Sequence, residues 1–222
     1  MITVHHLENS RSQRVLWVLE ELGLPYEVKR YDRDKNTSLA PPELKTIHPL
    51  GKSPVIEEGG RVLAETGAIV EHLIETHGGG RLMPARGTPE YARYKYWIHA
   101  AEGSYMPPLV MALILGRMET AKMPFFAKPI ARKLVAAVRA GYLGGTTQSL
   151  FDHLETELSQ SPWLAGTEIS GADIMMSFPA EAALSRVEAT TGKRHLQDYV
   201  KRIHARPAFQ HALEKGGPYT YA

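Results

Sequence analysis

The sequence contains no cysteine and no long hydrophobic run. The absence of cysteine excludes disulfides, cysteine-based zinc sites and a protein thiol as nucleophile. No apolar stretch approaches the roughly 18 residues that a membrane-spanning helix needs. The first residues, MITVHHLENSRSQ, are too polar for a signal peptide. We therefore expect a soluble, cytoplasmic protein without membrane contacts.

The chain also has little excess of charge of either sign. Lys and Arg number 26 against 24 Asp and Glu, which gives a formal net charge of +2. A nucleic-acid partner requires clustered basic stripes on a clearly basic domain, so we expect no nucleic-acid binding. The 222 residues, 43% of them hydrophobic, can form one large or two modest domains with a sizeable core.

The first third of the chain alternates between strand and helix patterns. Residues 2–7 and 26–31 are typical of short strands. Between them, apolar residues at helical spacing precede Gly23, a typical helix end: Val15, Leu16, Val18, Leu19 and Leu22. A strand–helix–strand order predicts that the two strands are parallel.

A second group of short elements follows a mostly irregular stretch that contains one helical turn at 42–47. Two apolar runs, 54–56 and 61–64, flank the sequence EEGG, which predicts a hairpin turn. A helix is expected to begin at Thr66. The predicted order is β-α-β-(α)-β-β-α in about 77 residues.

The stretch THGGGRLMPARGTPE, residues 76–90, has three consecutive glycines and no apolar periodicity, which indicates a linker. Only helical patterns follow it, near residues 89–118, 130–138, 150–158, 174–184 and 196–204. We predict an α+β domain over 1–78, a linker over 79–88 and an all-helical domain over 89–222.

Ser170 and Asp173 have the spacing of a capping box at a helix start, with Asp in place of Glu. Ile169 and Ile174 fit the accompanying hydrophobic staple. We interpret Asp173 as a residue that nucleates this helix rather than as a catalytic carboxylate.

Pro54 stands in GKSP, immediately before a predicted strand. Proline cannot donate to a strand ladder, so it occurs at edges, bulges or the first residue of a strand. A cis Ser53–Pro54 bond would turn the main chain of Ser53 outward, where an extended peptide could pair with it. The alternative is a trans proline that only begins the strand, and cis is the rarer form, at about 5–6% of X–Pro bonds.

Glu65 and Thr66 open the next predicted helix. The free amides of a helix N-terminus bind anions, and the carboxylate of Glu65 suits an ammonium group. Together they suit the head of an amino acid, while Lys52 suits a second carboxylate. A simple helix cap is the alternative interpretation of this pair.

These features together resemble the cytosolic glutathione transferases, over essentially the whole chain. The resemblance is carried by HLENSRSQRVLWVLEELGLPYE, GKSP, Glu-Thr at the helix start, the linker, and the Ser-x-x-Asp box. It implies a thioredoxin-like N-terminal domain, an all-α C-terminal domain, and conjugation of the glutathione thiolate to an apolar electrophile. It also implies a homodimer with glutathione as co-substrate, and no cofactor or metal.

The resemblance also assigns glutathione-binding roles. Ser53, followed by a cis Pro54, would pair its main chain with the cysteinyl part of glutathione. Lys52 would face the glycyl carboxylate, and Glu65 and Thr66 would hold the γ-glutamyl group.

The residue that activates the thiol is less clearly marked. The first strand has no Tyr, and the position that the serine- and cysteine-using classes employ corresponds to Ser10. Asn9 is the second choice, and Arg11 or Ser12 could also reach the sulfur. The alternative for Ser10 and Ser12 is capping of the following helix.

Five residues of the helix predicted over 89–118 could line an electrophile pocket or belong to the core: Tyr105, Met106, Leu109, Met111 and Met118. His5 and His6 are adjacent on a strand and point to opposite faces, so we expect no metal there. Glutathione-dependent peroxidase activity or a non-catalytic binding role on the same fold remain alternatives. The absence of cysteine argues against a thiol–disulfide oxidoreductase.

Overall fold

A computed structural model describes residues 1–221, and its first third forms a four-stranded mixed sheet in the order β2-β1-β3-β4. The strands are β1 (Ile2–Leu7), β2 (Tyr26–Tyr31), β3 (Val55–Glu58) and β4 (Arg61–Ala64). β1 and β2 are parallel and are joined through helix α1 (Gln13–Leu22), as the sequence predicts. β3 is antiparallel to both β1 and β4.

The turns that close these elements follow from glycine. Gly23 ends α1 in the left-handed region, at φ 64°. Gly59 and Gly60 join β3 to β4 with φ values of 55° and 77°. Two consecutive positive φ values match a two-residue type I′ hairpin. Glu57 and Glu58, which the sequence assigned to this turn, belong instead to β3.

The rest of the molecule is helical, which confirms the predicted fold class. Among the described residues no helix is long and apolar enough to cross a membrane. The last helix, which packs on α1, was not expected from the sequence. The remaining helices are α2 (Leu44–Ile47), α3 (Thr66–His77), α4 (Pro89–Ala100), α5 (Met106–Thr120), α6 (Lys128–Val138), α7 (Gly144–Gln160), α8 (Gly171–Arg186), α9 (Arg194–His204) and α10 (Pro207–Gly216).

The helix predicted over 89–118 is not continuous. A π-helical turn at Ala101–Tyr105 separates α4 from α5. Pro107 and Pro108 follow one residue after it, and neither has an N–H to donate to the preceding turn. π-Turns and prolines are the usual causes of kinks in helices. Both occur here, which explains why the helix is interrupted at this point.

The capping box at the start of α8 is present as expected. Asp173 is fully buried. Its Oδ2 accepts hydrogen bonds from the main-chain N and the hydroxyl of Ser170, both at 2.9 Å. Its Oδ1 accepts from Leu164 N at 2.9 Å and from the Tyr199 hydroxyl at 3.1 Å. Burial raises the pKa of Asp173 to about 6, against the lowering effect of these donors. The four contacts support the structural interpretation of Asp173.

One buried cation joins the two halves of the molecule. Arg14 of α1 is 1% exposed and donates from Nη1 to the main-chain oxygen of Met175 in α8 at 2.7 Å. Its Nη2 donates to Glu102 in the π-turn. Its guanidinium carbon also lies 5.6 Å from the centre of the Phe178 ring. These contacts fix the position of α8 and the π-turn relative to the sheet domain.

Candidate functional site

The strand register gathers distant parts of the chain at one end of the sheet. Val55, the first residue of β3, pairs with both Ala64 and His5. The residues just beyond these pairs are therefore neighbours. Ser53-Pro54 lies between Leu7, at the end of β1, and Glu65, at the start of α3.

The Ser53–Pro54 peptide bond is cis, as we expected. The side chain of Ser53 is used within the protein, because its Oγ donates to His5 O at 2.8 Å and accepts from Leu7 N at 3.2 Å. This side chain thus fastens the loop before β3 to β1. Any contact of Ser53 with a peptide ligand would fall to its main chain.

Glu65 precedes α3 with φ 73° and ψ 122°, a backbone conformation that non-glycine residues seldom adopt. Thr66 is 5% exposed, whereas the side chains of Glu65 and Lys52 are exposed. Among the salt bridges formed within residues 1–221, none includes Glu65 or Lys52. Both charges are therefore available to a ligand at this end of the sheet.

The loop between β1 and α1 contains a chain of hydrogen bonds. The hydroxyl groups of Ser10 and Ser12 are 2.7 Å apart, and Ser10 Oγ also accepts from Ser12 N at 3.2 Å. Ser12 Oγ lies 2.9 Å from Nδ1 of His6 and 3.2 Å from Leu7 O. Ser12, the N-cap residue of α1, makes no capping hydrogen bond with its side chain, whereas Ser10 accepts from the main chain of that N-cap residue.

The carbonyl oxygen of Leu7 gives this chain a direction. It can only accept a hydrogen bond, so Ser12 donates to it, and Ser10 can then donate to Ser12. Burial, and secondarily the charge of Arg30, lowers the pKa of His6 to about 4, so its ring is neutral at neutral pH.

Asn9 lies in the same loop with φ 48°, a conformation that Asn tolerates better than most residues. Its Oδ1 accepts two hydrogen bonds from Thr220, from the main-chain N at 2.8 Å and the hydroxyl at 2.7 Å. These bonds occupy the amide oxygen and leave the amide N–H₂ as a donor. The contact also brings the C-terminal segment beside the loop.

A cavity of about 420 Å³ separates this end of the sheet from the helical half. Of the residues predicted from the sequence, seven line it: Asn9, Ser10, Arg11, Lys52, Ser53, Met106 and Leu109. Glu65 and Thr66 do not line it, although the register places them next to Ser53-Pro54. A larger cavity of about 590 Å³ lies between the linker and α8, and none of the predicted site residues lines it.

Three expected pocket residues do not line this cavity. Tyr105 is fully buried, and its hydroxyl donates to Leu150 O at 2.9 Å, so it belongs to the core. Met111 lines a neighbouring groove, which shares Arg11, Met106 and Val110 with this cavity. Met118 is 45% exposed. The predicted residues Met106 and Leu109 line the cavity together with Val110 and Leu113, which lie on the same face of α5.

Three further cations line the cavity that were not predicted from the sequence: Arg33, Arg117 and Arg186. With Arg11 and Lys52 they make five basic side chains, and among residues 1–221 no Asp or Glu lines the cavity. Arg33, Arg117 and Arg186 come from β2's downstream loop, α5 and α8, so only the tertiary fold brings them together. The cavity therefore favours anionic groups.

The two parts of the chain match two family models: the glutathione S-transferase N-terminal domain over residues 1–75 and its C-terminal domain over residues 117–207. The chain belongs to the glutathione S-transferase family. It is therefore a transferase, as the sequence resemblance implies.

Similar proteins agree with this assignment. "Glutathione S-transferase 1" of Saccharomyces cerevisiae is 38% identical over 84% of this chain and 82% of its own length. "Glutathione S-transferase 3" of Schizosaccharomyces pombe is 34% identical over 97% of this chain and 88% of its own. The crystal structure of a glutathione S-transferase from Actinobacillus pleuropneumoniae, also 34% identical, superposes with a TM-score of 0.80 over 100% of this chain and 95% of its own.

Proposed function

We propose that this glutathione transferase conjugates the thiolate of glutathione to apolar electrophiles, a detoxification type of reaction. The observation that carries the proposal is the meeting of Ser53-Pro54, Glu65 and the Ser10 loop at one end of the sheet, beside a cavity of about 420 Å³. Residues 1–78 would bind glutathione, and residues 89–222 would complete the electrophile site.

Glutathione would lie along the loop before β3. Its cysteinyl part would pair with the main chain of Ser53, whose side chain is already bound to β1. The unpaired charge of Lys52 suits the glycyl carboxylate. Glu65 and the first amides of α3 suit the ammonium and carboxylate of the γ-glutamyl group.

The sulfur would then face the loop of Asn9 and Ser10. A free thiol has a pKa near 8.5, so only about 3% is ionised at pH 7. A hydrogen bond to a charged group contributes about 1.5–3 kcal/mol, which corresponds to about one to two pKa units. Donation by Ser10, with Asn9 as the second donor, would supply a shift of this size. The basic cavity wall would add to it.

The electrophile would occupy the other side of the cavity. Met106, Leu109, Val110, Leu113 and Phe178 supply apolar surface there, and Met adapts to differently shaped ligands. Arg117 and Arg186 line the same cavity. Apolar electrophiles with an anionic substituent should therefore be accepted as well as neutral ones.

We further propose a cytoplasmic homodimer, which rests on the family resemblance. Light scattering at micromolar concentration should give twice the chain mass of 24.7 kDa. A mass near that of one chain would contradict the dimer.

A panel assay with glutathione tests the activity. It should include 1-chloro-2,4-dinitrobenzene, its 4-carboxylate analogue, phenethyl isothiocyanate, cumene hydroperoxide and 2-hydroxyethyl disulfide. We expect conjugation of an aryl halide or isothiocyanate to exceed reduction of the last two. Turnover of the peroxide or disulfide alone would establish a glutathione-dependent reductase instead. Glutathione binding without any turnover would establish a binding module.

A further inference from the structure

Three potential metal ligands converge at the other end of β3, away from the cavity. Glu58 is the last residue of β3, and His72 and His77 lie in the second half of α3. Glu58 Oε2 is 2.7 Å from His72 Nε2, and Glu58 Oε1 is 2.6 Å from His77 Nε2. The ligand atoms of all three side chains lie within 4.8 Å of one another.

The chemistry of this cluster suits a transition metal. Two imidazole nitrogens and one carboxylate form a donor set used by zinc sites that keep a fourth position for water. The two imidazole rings are nearly perpendicular, at 88°, so their Nε2 atoms approach a shared point from different directions. The side chains of Glu58, His72 and His77 are 20%, 25% and 29% exposed, which gives an ion a path from solvent.

A supporting contact lies behind one of the ligands. Nδ1 of His72 is 3.4 Å from the hydroxyl of Thr76, one helical turn away. A histidine that binds a metal through Nε2 carries its proton on Nδ1, and an acceptor for that proton fixes the ring orientation. Thr76 is positioned to serve as this acceptor.

We propose that Glu58, His72 and His77 bind one divalent transition-metal ion, Zn²⁺ being the best match, with water as the fourth ligand. The ion would replace the two hydrogen bonds between the imidazoles and Glu58. Each imidazole would bind the ion through Nε2 and hold its proton on Nδ1. Small side-chain movements would bring the nitrogens to the usual Zn–N distance of about 2.0–2.1 Å.

The position of the site assigns it a stabilising role. Val55 begins β3 beside the glutathione site and Glu58 ends it, about 10 Å away at the usual rise per strand residue. The ion would tie β3 to the last turn of α3. Because it would bind the folded chain and not the unfolded one, it would raise the thermal stability without taking part in the transfer reaction.

The test uses the full chain without an affinity tag or glutathione, since the glutathione thiol itself binds zinc. Zn²⁺ is titrated by calorimetry and Co²⁺ by its visible absorption. We expect one ion per chain and, with Co²⁺, the intense bands of a tetrahedral site. Loss of a supporting partner already weakens metal sites 10–100-fold, so His72→Ala and His77→Ala should each weaken binding more than about 100-fold.

His195→Ala is the matched control, because His195 is an exposed histidine on α9. It should bind the ion like the wild type. Zn²⁺ should raise the melting temperature of the wild type and of His195→Ala, but not of His72→Ala. Absence of saturable binding to the wild type, or binding that survives in both His72→Ala and His77→Ala, would overturn the proposal. These readouts do not depend on transferase activity.

Discussion

The hydroxyl groups of Ser10 and Ser12 lie 2.7 Å apart. Because Ser12 donates onward to Leu7 O, the proton of Ser10 can be held by Ser12 until another acceptor arrives. In our proposal the glutathione thiolate is that acceptor, and its charge would let it compete well with a neutral hydroxyl.

Ser12→Ala separates the roles of the two serines. It removes the competing acceptor, so the pKa of bound glutathione should stay the same or fall. It also leaves the oxygen of Leu7 without the Ser12 donor and His6 Nδ1 without its hydroxyl partner, which should cost about 1–3 kcal/mol of stability. The pH profile of kcat/KM and urea unfolding measure the two effects. A rise in the thiol pKa would mean that Ser12 is the donor to sulfur.

Buried His6 should make the fold sensitive to acid. Its pKa is lowered to about 4 in the folded chain, against about 6.5 when unfolded. Between these values the unfolded state binds more protons, so stability falls as the pH decreases from 6.5 to 4. At pH 4.5 the loss from this group is about 2–3 kcal/mol.

Urea unfolding of wild type and His6→Gln at pH 7 and pH 4.5 measures this loss. Gln retains a donor and an acceptor but does not titrate. The wild type should lose about 2–3 kcal/mol more than the variant between the two pH values. Equal losses of stability in the two proteins would show that protonation of His6 does not cause the acid sensitivity.

Ser53→Ala should affect stability more than binding. The hydroxyl joins the loop to β1 through His5 O and Leu7 N, and its removal should cost about 1–3 kcal/mol. Calorimetry on the folded variant should find glutathione affinity within a few fold of wild type. A loss of more than about tenfold would assign the ligand contact to the side chain.

We expect Glu65 to strain the backbone and to be necessary for glutathione binding. Glu65→Gly relieves the positive φ of 73° and should keep or raise the melting temperature. Glu65→Gln keeps the side-chain shape but removes the charge. Both should bind glutathione about 10–150-fold more weakly, which corresponds to about 1.5–3 kcal/mol.

Glu75→Gln is the control for Glu65→Gln, because Glu75 is an exposed carboxylate on the same helix that pairs with Arg86. It should bind glutathione like the wild type. Unchanged affinity in folded Glu65→Gln would remove Glu65 from the ligand site.

Local patterns predicted most of the fold. The five apolar residues of α1, the glycine pair after β3 and the Ser170–Asp173 box each act over a few residues, so their spacing is visible in the sequence. The break between α4 and α5 differs from the sequence prediction, in which Pro107-Pro108 lies within one helix. Helix α10 was not predicted, although Phe209, which packs on Trp17, and Ala212 are buried at helical spacing, because the helix is only ten residues long and a helical period is read over a longer window.

The site was predictable only where a motif spans it. Ser53-Pro54 and Glu65-Thr66 carry their own signals, whereas Arg33 and Arg186 enter the cavity through the packing of separate elements. The same limit applies to Glu58, His72 and His77, whose spacing matches no metal motif. Tyr105 was predicted to line the pocket but lies in the core. Helical spacing alone does not distinguish a face that packs in the core from one that lines a cavity.

The measurement that tests the account most directly is the ionisation of glutathione bound to the protein. Thiolate absorbance near 240 nm is followed against pH in wild type, Ser10→Ala and Asn9→Ala, each saturated with glutathione. We predict a thiol pKa about one to two units below 8.5 in the wild type. In Ser10→Ala it should return most of the way to 8.5, with glutathione affinity largely retained. A wild-type value near 8.5, or a shift that is lost only in Asn9→Ala, would contradict the account.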